Sequence, residues 1–114
     1  MNDVTDEVVA GHLQEIRRGT VVLAALAACA EPRYGYALLS TLADAGIQVD
    51  ANTLYPLLRR LEKQGLLEAR WDTDEPRPRK YYSVTPAGTG VLATLTREWD
   101  VLTTTLTALR KDQP

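Results

Sequence analysis

Asn52, Thr53, Tyr55, Arg59 and Lys63 are the residues of this chain whose types and spacing could do chemistry, and all fall in the stretch DANTLYPLLRRLEKQGLL from Asp50 to Leu67. Asn and Arg side chains can bond bidentately to base edges in a DNA major groove, whereas a Tyr hydroxyl or a Lys ammonium suits a phosphate oxygen. The leucines between them decide whether they could act together. Leu54, Leu57, Leu58 and Leu61 recur at the i, i+3, i+4, i+7 spacing of one buried helical face. At ~100° per residue the opposite face collects Asn52, Pro56, Arg59 and Lys63, with Thr53 and Tyr55 on its shoulders near the amino end. An ordinary amphipathic helix with a solvated outer side has the same alternation, so this stretch alone leaves both readings open.

Other kinds of chemistry lack their parts. The only histidine, His12, has no Ser or Cys at a recognisable motif spacing, no second histidine for a metal and no Gly-rich phosphate loop, which argues against an enzyme and against a cofactor. The single cysteine, Cys29, lies inside the apolar run VVLAALAACA, so no intrachain disulfide or Cys-rich metal site can be built, and a reducing compartment fits. That run is about ten residues long and follows acidic residues, too short to span a bilayer and wrongly placed for a signal peptide. The expectation is a cytoplasmic protein without a membrane partner. Net charge is −2, which disfavours nucleic acid if charge is spread evenly. It is not: Thr53–Tyr82 holds seven basic residues against five acidic, a balance of +2, and the remainder carries −4. A basic face on an acidic body is permitted.

The elements that must position these residues can be read in order. With 114 residues one domain is expected, in the size range where a shared dimer core adds stability. Met1–Thr5 show no periodic pattern. A first helix is expected over Asp6–Ala30, with Val9, Leu13 and Ile16 as a narrow stripe in its first half, a bend possible at Gly19, and Glu31-Pro32 as its stop. Tyr34-Gly35-Tyr36 opens a second helix that Gly46 ends. Ile47-Gln48-Val49 alternates enough for a brief strand, and Asp50 is a suitable N-cap for the third helix. Pro56 conflicts with that cap, implying an irregular first turn or a helix beginning near Tyr55. Gly65 ends the third helix. Leu66–Trp71 and Lys80–Thr85 read as strands, each with one apolar face (Leu67, Ala69 and Trp71; Tyr82 and Val84), joined by the polar, proline-bearing tip DTDEPRPR. Thr85 can cap a last helix with Pro86 at its first position. From there Leu92, Leu95, Trp99, Leu102, Leu106 and Leu109 step by three and four, a heptad seam. A helix over Pro86–Lys111 would be roughly 39 Å long at ~1.5 Å per residue, enough to project and pair with a second copy.

The order of elements is that of a winged helix-turn-helix domain, mainly α with a small β-hairpin, followed by a long C-terminal dimerisation helix. In Tyr34-Gly35-Tyr36, Thr53-Leu54-Tyr55-Pro56, Leu58, Arg60-Leu61-Glu62, Gly65-Leu66, Arg79-Lys80-Tyr81-Tyr82 and Thr85-Pro86 with Gly88, the chain resembles a small-subtype member of the PadR family of transcriptional regulators. These motifs cover most of the chain, and the small subtype is the one expected to lack the family's longer carboxyl-terminal domain. The resemblance implies a DNA-binding domain over 1–85, a dimerisation helix over 86–114, and a homodimer that binds a double-stranded operator, usually as a repressor. Two reading helices about one duplex turn apart, roughly 34 Å, would require a pseudo-palindromic site.

Beside that resemblance, each side chain has a physical role. Asn52, Thr53 and Arg59 suit base edges or adjacent phosphates, Tyr55 a phosphate, and Tyr34 and Tyr36 an anion at a helix amino terminus. Arg77, Arg79 and Lys80 on the wing suit backbone or minor-groove contact. The plainer roles are core for Tyr82, core or capping for Tyr36, and solvation for Arg60 and Lys63. Trp99 is either seam packing or, as similarity to multidrug-sensing members implies, a platform for flat aromatic compounds, with Val9, Leu13, Ile16, Leu95 and Leu102 lining a shared pocket. The rival to an operator-binding protein is a winged-helix adaptor that docks on protein. An adaptor would be expected to carry an apolar outer surface on the third helix, where this chain has Asn52, Arg59 and Lys63.

Overall fold

Seven elements, described over residues 3–74 and 76–111 in a computed structural model, enclose one leucine-rich core. In chain order they are α1 (Asp3–Ala28), β1 (Arg33–Tyr34), α2 (Gly35–Asp44), α3 (Ala51–Lys63), β2 (Leu67–Asp72), β3 (Arg79–Val84) and α4 (Pro86–Lys111). Leu26, Leu38, Leu54, Leu58, Leu61 and Leu67 are fully buried, with Ala25, Cys29, Leu42, Leu57 and Tyr82 filling the spaces between them. Replacing any of these central leucines by Ala would cost about 2–5 kcal/mol. α1, α2, α3 and the inner face of the sheet all contribute to this core, in which α3 packs against α2 and β2.

α1 begins at Asp3, earlier than the polar start of the chain suggested; Met1 and Asn2 lie outside the described residues. It runs unbroken through Gly19 and ends at Ala28, two residues short of expectation. Its carboxyl end is tied down instead of fraying. The Arg33 Nε–H donates to the Ala28 carbonyl, and the Val84 N–H donates to the Cys29 carbonyl at 2.7 Å. These bonds satisfy acceptors that a helix end leaves open.

Both interior helices end in the same way. After α2, Gly46 takes φ +96°, its N–H donates to Ala43 and the Ile47 N–H donates to Leu42. After α3, Gly65 takes φ +78°, its N–H donates to Glu62 and the Leu66 N–H donates to Leu61. Each is a Schellman closure, which needs a left-handed residue and brings the following apolar side chain back over the helix. This accounts for the one misread strand. Ile47-Gln48-Val49 forms none, because the Ile47 N–H already caps α2 and the next residues lead directly into the α3 cap. The third strand is Arg33–Tyr34, giving a sheet ordered β1-β3-β2, all antiparallel. In β2 and β3, Leu67 pairs with Val84, Ala69 with Tyr82 and Trp71 with Lys80.

α3 is helical from Ala51 despite Pro56 in its second turn. Asp50 caps it, its Oδ1 accepting from the Thr53 N–H at 2.8 Å. A proline inside a helix costs about 3 kcal/mol, whereas burying one leucine contributes about 1.5–3 kcal/mol. Four buried leucines on one face outweigh the defect. α4 starts with Thr85 as cap: its Oγ1 accepts from the Gly88 N–H at 3.0 Å and donates to the Gly65 carbonyl at 2.7 Å. Gly88 lies so close to the α3–β2 turn that a Cβ there would sit 2.1 Å from the Leu66 carbonyl oxygen. Among the described residues no helix is long and apolar enough to cross a membrane.

Candidate nucleic-acid interface

The leucine face of α3 is fully enclosed, so its other face is presented outward by default. Asn52, Thr53, Pro56, Arg59, Arg60 and Lys63 are exposed, and Tyr55 is half-buried at the edge. The polar residues are thus exposed along one helix but divided, with Tyr55 and Arg59 toward the wing and Thr53, Pro56 and Arg60 toward α1.

Beside α3, the base of the wing is built from stacked tyrosines. The Tyr34 ring lies 5.6 Å from that of Tyr36 at an interplanar angle of 9°, and 4.0 Å from that of Tyr81 at 25°. The Tyr81 hydroxyl donates to the Tyr34 hydroxyl, which donates in turn to Asp72 Oδ2 at 3.3 Å. Arg79 spans the stack: its guanidinium carbon is 4.9 Å from the Tyr34 ring centre and its Nη1 donates to the Tyr36 hydroxyl at 2.9 Å. A guanidinium over a ring contributes about 0.5–1 kcal/mol at such exposure. The consequence is orientation, because β1, α2 and the wing become one rigid unit. Tyr36, expected in the core or as a cap, is 55% exposed. It sits in the first turn of α2 on the outer side, and its hydroxyl serves Arg79 instead of the helix terminus.

Lys80 points along the inner face of the sheet, where its Nζ donates to Glu62 Oε1 on α3 at 3.1 Å and lies 5.2 Å from the Tyr82 ring centre. Burial alone would lower the ammonium's pKa, but the Glu62 hydrogen bond and charge outweigh it, and the pKa is raised. Lys80 thus carries a firm positive charge that also ties wing to helix. Tyr82 is core, as its alternation implied.

Tyr34, Gly35, Tyr36, Tyr55, Arg59, Trp71, Arg77, Pro78, Arg79, Lys80 and Tyr82 together line an open cleft of about 520 Å³ between α3 and the wing. Four of these residues are cationic and none is acidic. Of the wing and tyrosine residues singled out in the sequence, Tyr34, Tyr36, Tyr55, Arg59, Arg77, Arg79 and Lys80 all meet here, whereas Asn52, Thr53 and Lys63 lie elsewhere on α3. Sequence reasoning missed Trp71, which had been assigned to the apolar face of β2. It is 63% exposed at the cleft rim. The available signal was its place next to the polar hairpin tip.

A second feature lies on the helices that flank the core. Val9, Leu13 and Ile16 on α1, and Trp99, Leu102, Leu106 and Leu109 on α4, are exposed in the single chain. Leu95 instead packs half-buried against the core. Among the described residues no group of three or more His, Cys, Asp or Glu side chains is placed to hold a metal ion.

Residues 22–94 match the transcriptional regulator PadR-like family. The fold superposes on a PadR family transcriptional regulator from Eggerthella lenta with a TM-score of 0.93 and 46% identity, covering 98% of this chain and 100% of that one. A PadR-like transcriptional regulator from Bacillus cereus matches with a TM-score of 0.69 and 29% identity, over 89% of this chain and 97% of that one. A transcriptional regulator from Mycobacterium tuberculosis is 37% identical over 81 residues, 70% of this chain and 76% of that relative. The motifs that carried the resemblance lie within or beside the matched region, and the chain belongs to the PadR-like family of transcriptional regulators.

Proposed function

We propose that this regulator is a homodimeric repressor that binds a pseudo-palindromic DNA operator through α3 and the wing. The observation that carries the reading is the outer face of α3: Asn52, Thr53, Arg59 and Lys63 are exposed beside a cleft lined by four cations and no acid. Asn52, Thr53 and Arg59 would reach base edges or nearby phosphates, and Tyr55, Arg77 and Arg79 would fix the register on the backbone. Lys63 adds charge at the end of the helix. The exposed apolar rows of α1 and α4 support pairing, since burying them against a second copy removes large side chains from water. Two 1–85 units would then be held by two 86–114 helices. An electrophoretic shift with DNA from upstream of the chain's own gene tests this. A shifted band whose affinity falls steeply with salt supports it; no shift at low salt would leave a protein-docking adaptor as the reading.

A planar aromatic ligand at the dimer interface is a second proposal, supported by the exposure of Trp99 at the centre of the α4 row. Val9, Leu13, Ile16, Leu95 and Leu102 would form its apolar surroundings, and occupancy would release the operator. Titrating a Trp71→Phe protein with planar cationic dyes reads Trp99 alone. Quenching supports the site, and unaltered emission contradicts it.

A further inference from the structure

We infer that Trp71 is a DNA contact that packs its indole on the deoxyribose face of the strand running through the α3–wing cleft. The inference rests on the operator-binding proposal and assigns to the wing a role that its charges cannot perform. Trp71 shares the inner face of β2 and β3 with Leu67, Ala69, Lys80, Tyr82 and Val84. Leu67 and Tyr82 on that face are buried, yet Trp71 is left 63% exposed. Nothing in the fold requires so large an apolar side chain at this position.

The homodimer would not cover it. β3 meets α4 at the Val84 end, where the side chain approaches Gly88, whereas Trp71 is paired with Lys80, four residues away along the strand. At ~3.3 Å per residue that is roughly 13 Å from the α4 contact, toward the wing tip.

What the side chain does border is the cleft, and the cleft selects its occupant. Its lining carries Arg59, Arg77 and Arg79, together with Lys80 paired to Glu62 of α3, and no carboxylate lines it, which suits a polyanion. Arg79 and Lys80 are each fixed, by Tyr36 and by Glu62, so the charges are held in place before anything binds. A DNA strand offers phosphates to those cations and, between successive phosphates, the apolar face of a sugar. An indole on the rim suits the sugar. The contact carries no base information, so Trp71 would add affinity equally at all sequences, unlike Asn52.

The test compares wild type with Trp71→Ala and Trp71→Phe by fluorescence anisotropy on labelled duplex across a salt series. A Trp99→Phe protein reports the Trp71 emission on the same duplex. Covering part of the exposed indole is worth about a tenfold change in affinity per dimer. The expected result is a loss of about tenfold for Trp71→Ala, with recovery to within about threefold for Trp71→Phe and an unchanged slope of log affinity against log salt, because no phosphate contact is removed. Trp71 emission should shift on binding. Melting temperature should stay near wild type, since the side chain is mostly in solvent. Trp71→Ala binding within twofold of wild type, or emission that ignores DNA, would overturn the inference while leaving the operator reading intact. A slope that falls by about one charge would also overturn it, showing that Trp71 merely positions Lys80. Failure of wild type itself to bind any duplex would remove the operator reading, and the inference with it.

Discussion

Replacing Gly88 by Ala is expected to destabilise the protein, whereas the same replacement at Gly90, two residues further along α4, is expected to stabilise it. At Gly90 an added Cβ meets nothing within 4 Å. The change there recovers the helix propensity that glycine forfeits, about 0.8–1 kcal/mol. At Gly88 the new Cβ falls 2.1 Å from the Leu66 carbonyl oxygen and 2.7 Å from Val84 Cγ2. The oxygen cannot withdraw freely, because it accepts from the Thr85 N–H at 3.1 Å. Separating the two backbones costs about 1–3 kcal/mol for overpacking and about 1 kcal/mol for the hydrogen bond lost. After the propensity gain, a net loss of about 1–3 kcal/mol remains. For a chain of this length the two variants should melt roughly 10 °C apart, on either side of wild type. Thermal unfolding at one fixed protein concentration is the assay, since pairing would make the midpoint concentration-dependent. A Gly88→Ala protein as stable as wild type would refute the close-approach argument.

Two further outcomes follow from side chains on opposite sides of α3. Asn52→Ala should relax preference at one base position by about 1–3 kcal/mol, while Tyr55→Phe should weaken binding about equally at all sequences; selection from a randomised duplex pool separates the two patterns. On the buried side, Cys29 is enclosed and burial pushes its thiol from 9.0 up to about 11. The unfolded chain therefore releases this proton first, so the contribution is intact below about pH 9 and is lost as pH rises toward 11. The stability advantage over Cys29→Ala should be flat to pH 9 and then shrink by up to about 3 kcal/mol, read by urea unfolding. A constant difference across that range would contradict the burial argument.

The helices and their ends were legible because each signal is local. Gly46, Gly65, Asp50 and the Thr85-Pro86 pair act within one turn of the chain, and each does in the structure what its chemistry requires. What was misread depended on contacts distant in sequence. Arg33–Tyr34 is a strand only because Tyr81 and Tyr82 come alongside it, and two residues alone carry no periodicity. Pro56 implied an irregular first turn or a later helix start because its local cost was visible, whereas the compensating leucine burial is tertiary. Trp71 followed the alternation of a buried face, but it stands 63% exposed at the rim of the open cleft it shares with Tyr55 and Arg59. The tyrosine stack joins Tyr34, Tyr36 and Tyr81 across more than forty residues, and no spacing rule foretells it.

Hydroxyl-radical footprinting of wild type on its own upstream DNA tests the central claim most directly. Two α3 faces carried by one dimer should leave two protected patches related by a dyad and centred about one helical turn apart, about 10–10.5 base pairs. A single continuous patch, patches at another spacing, or uniform cleavage at protein concentrations that saturate the shift would contradict the claim.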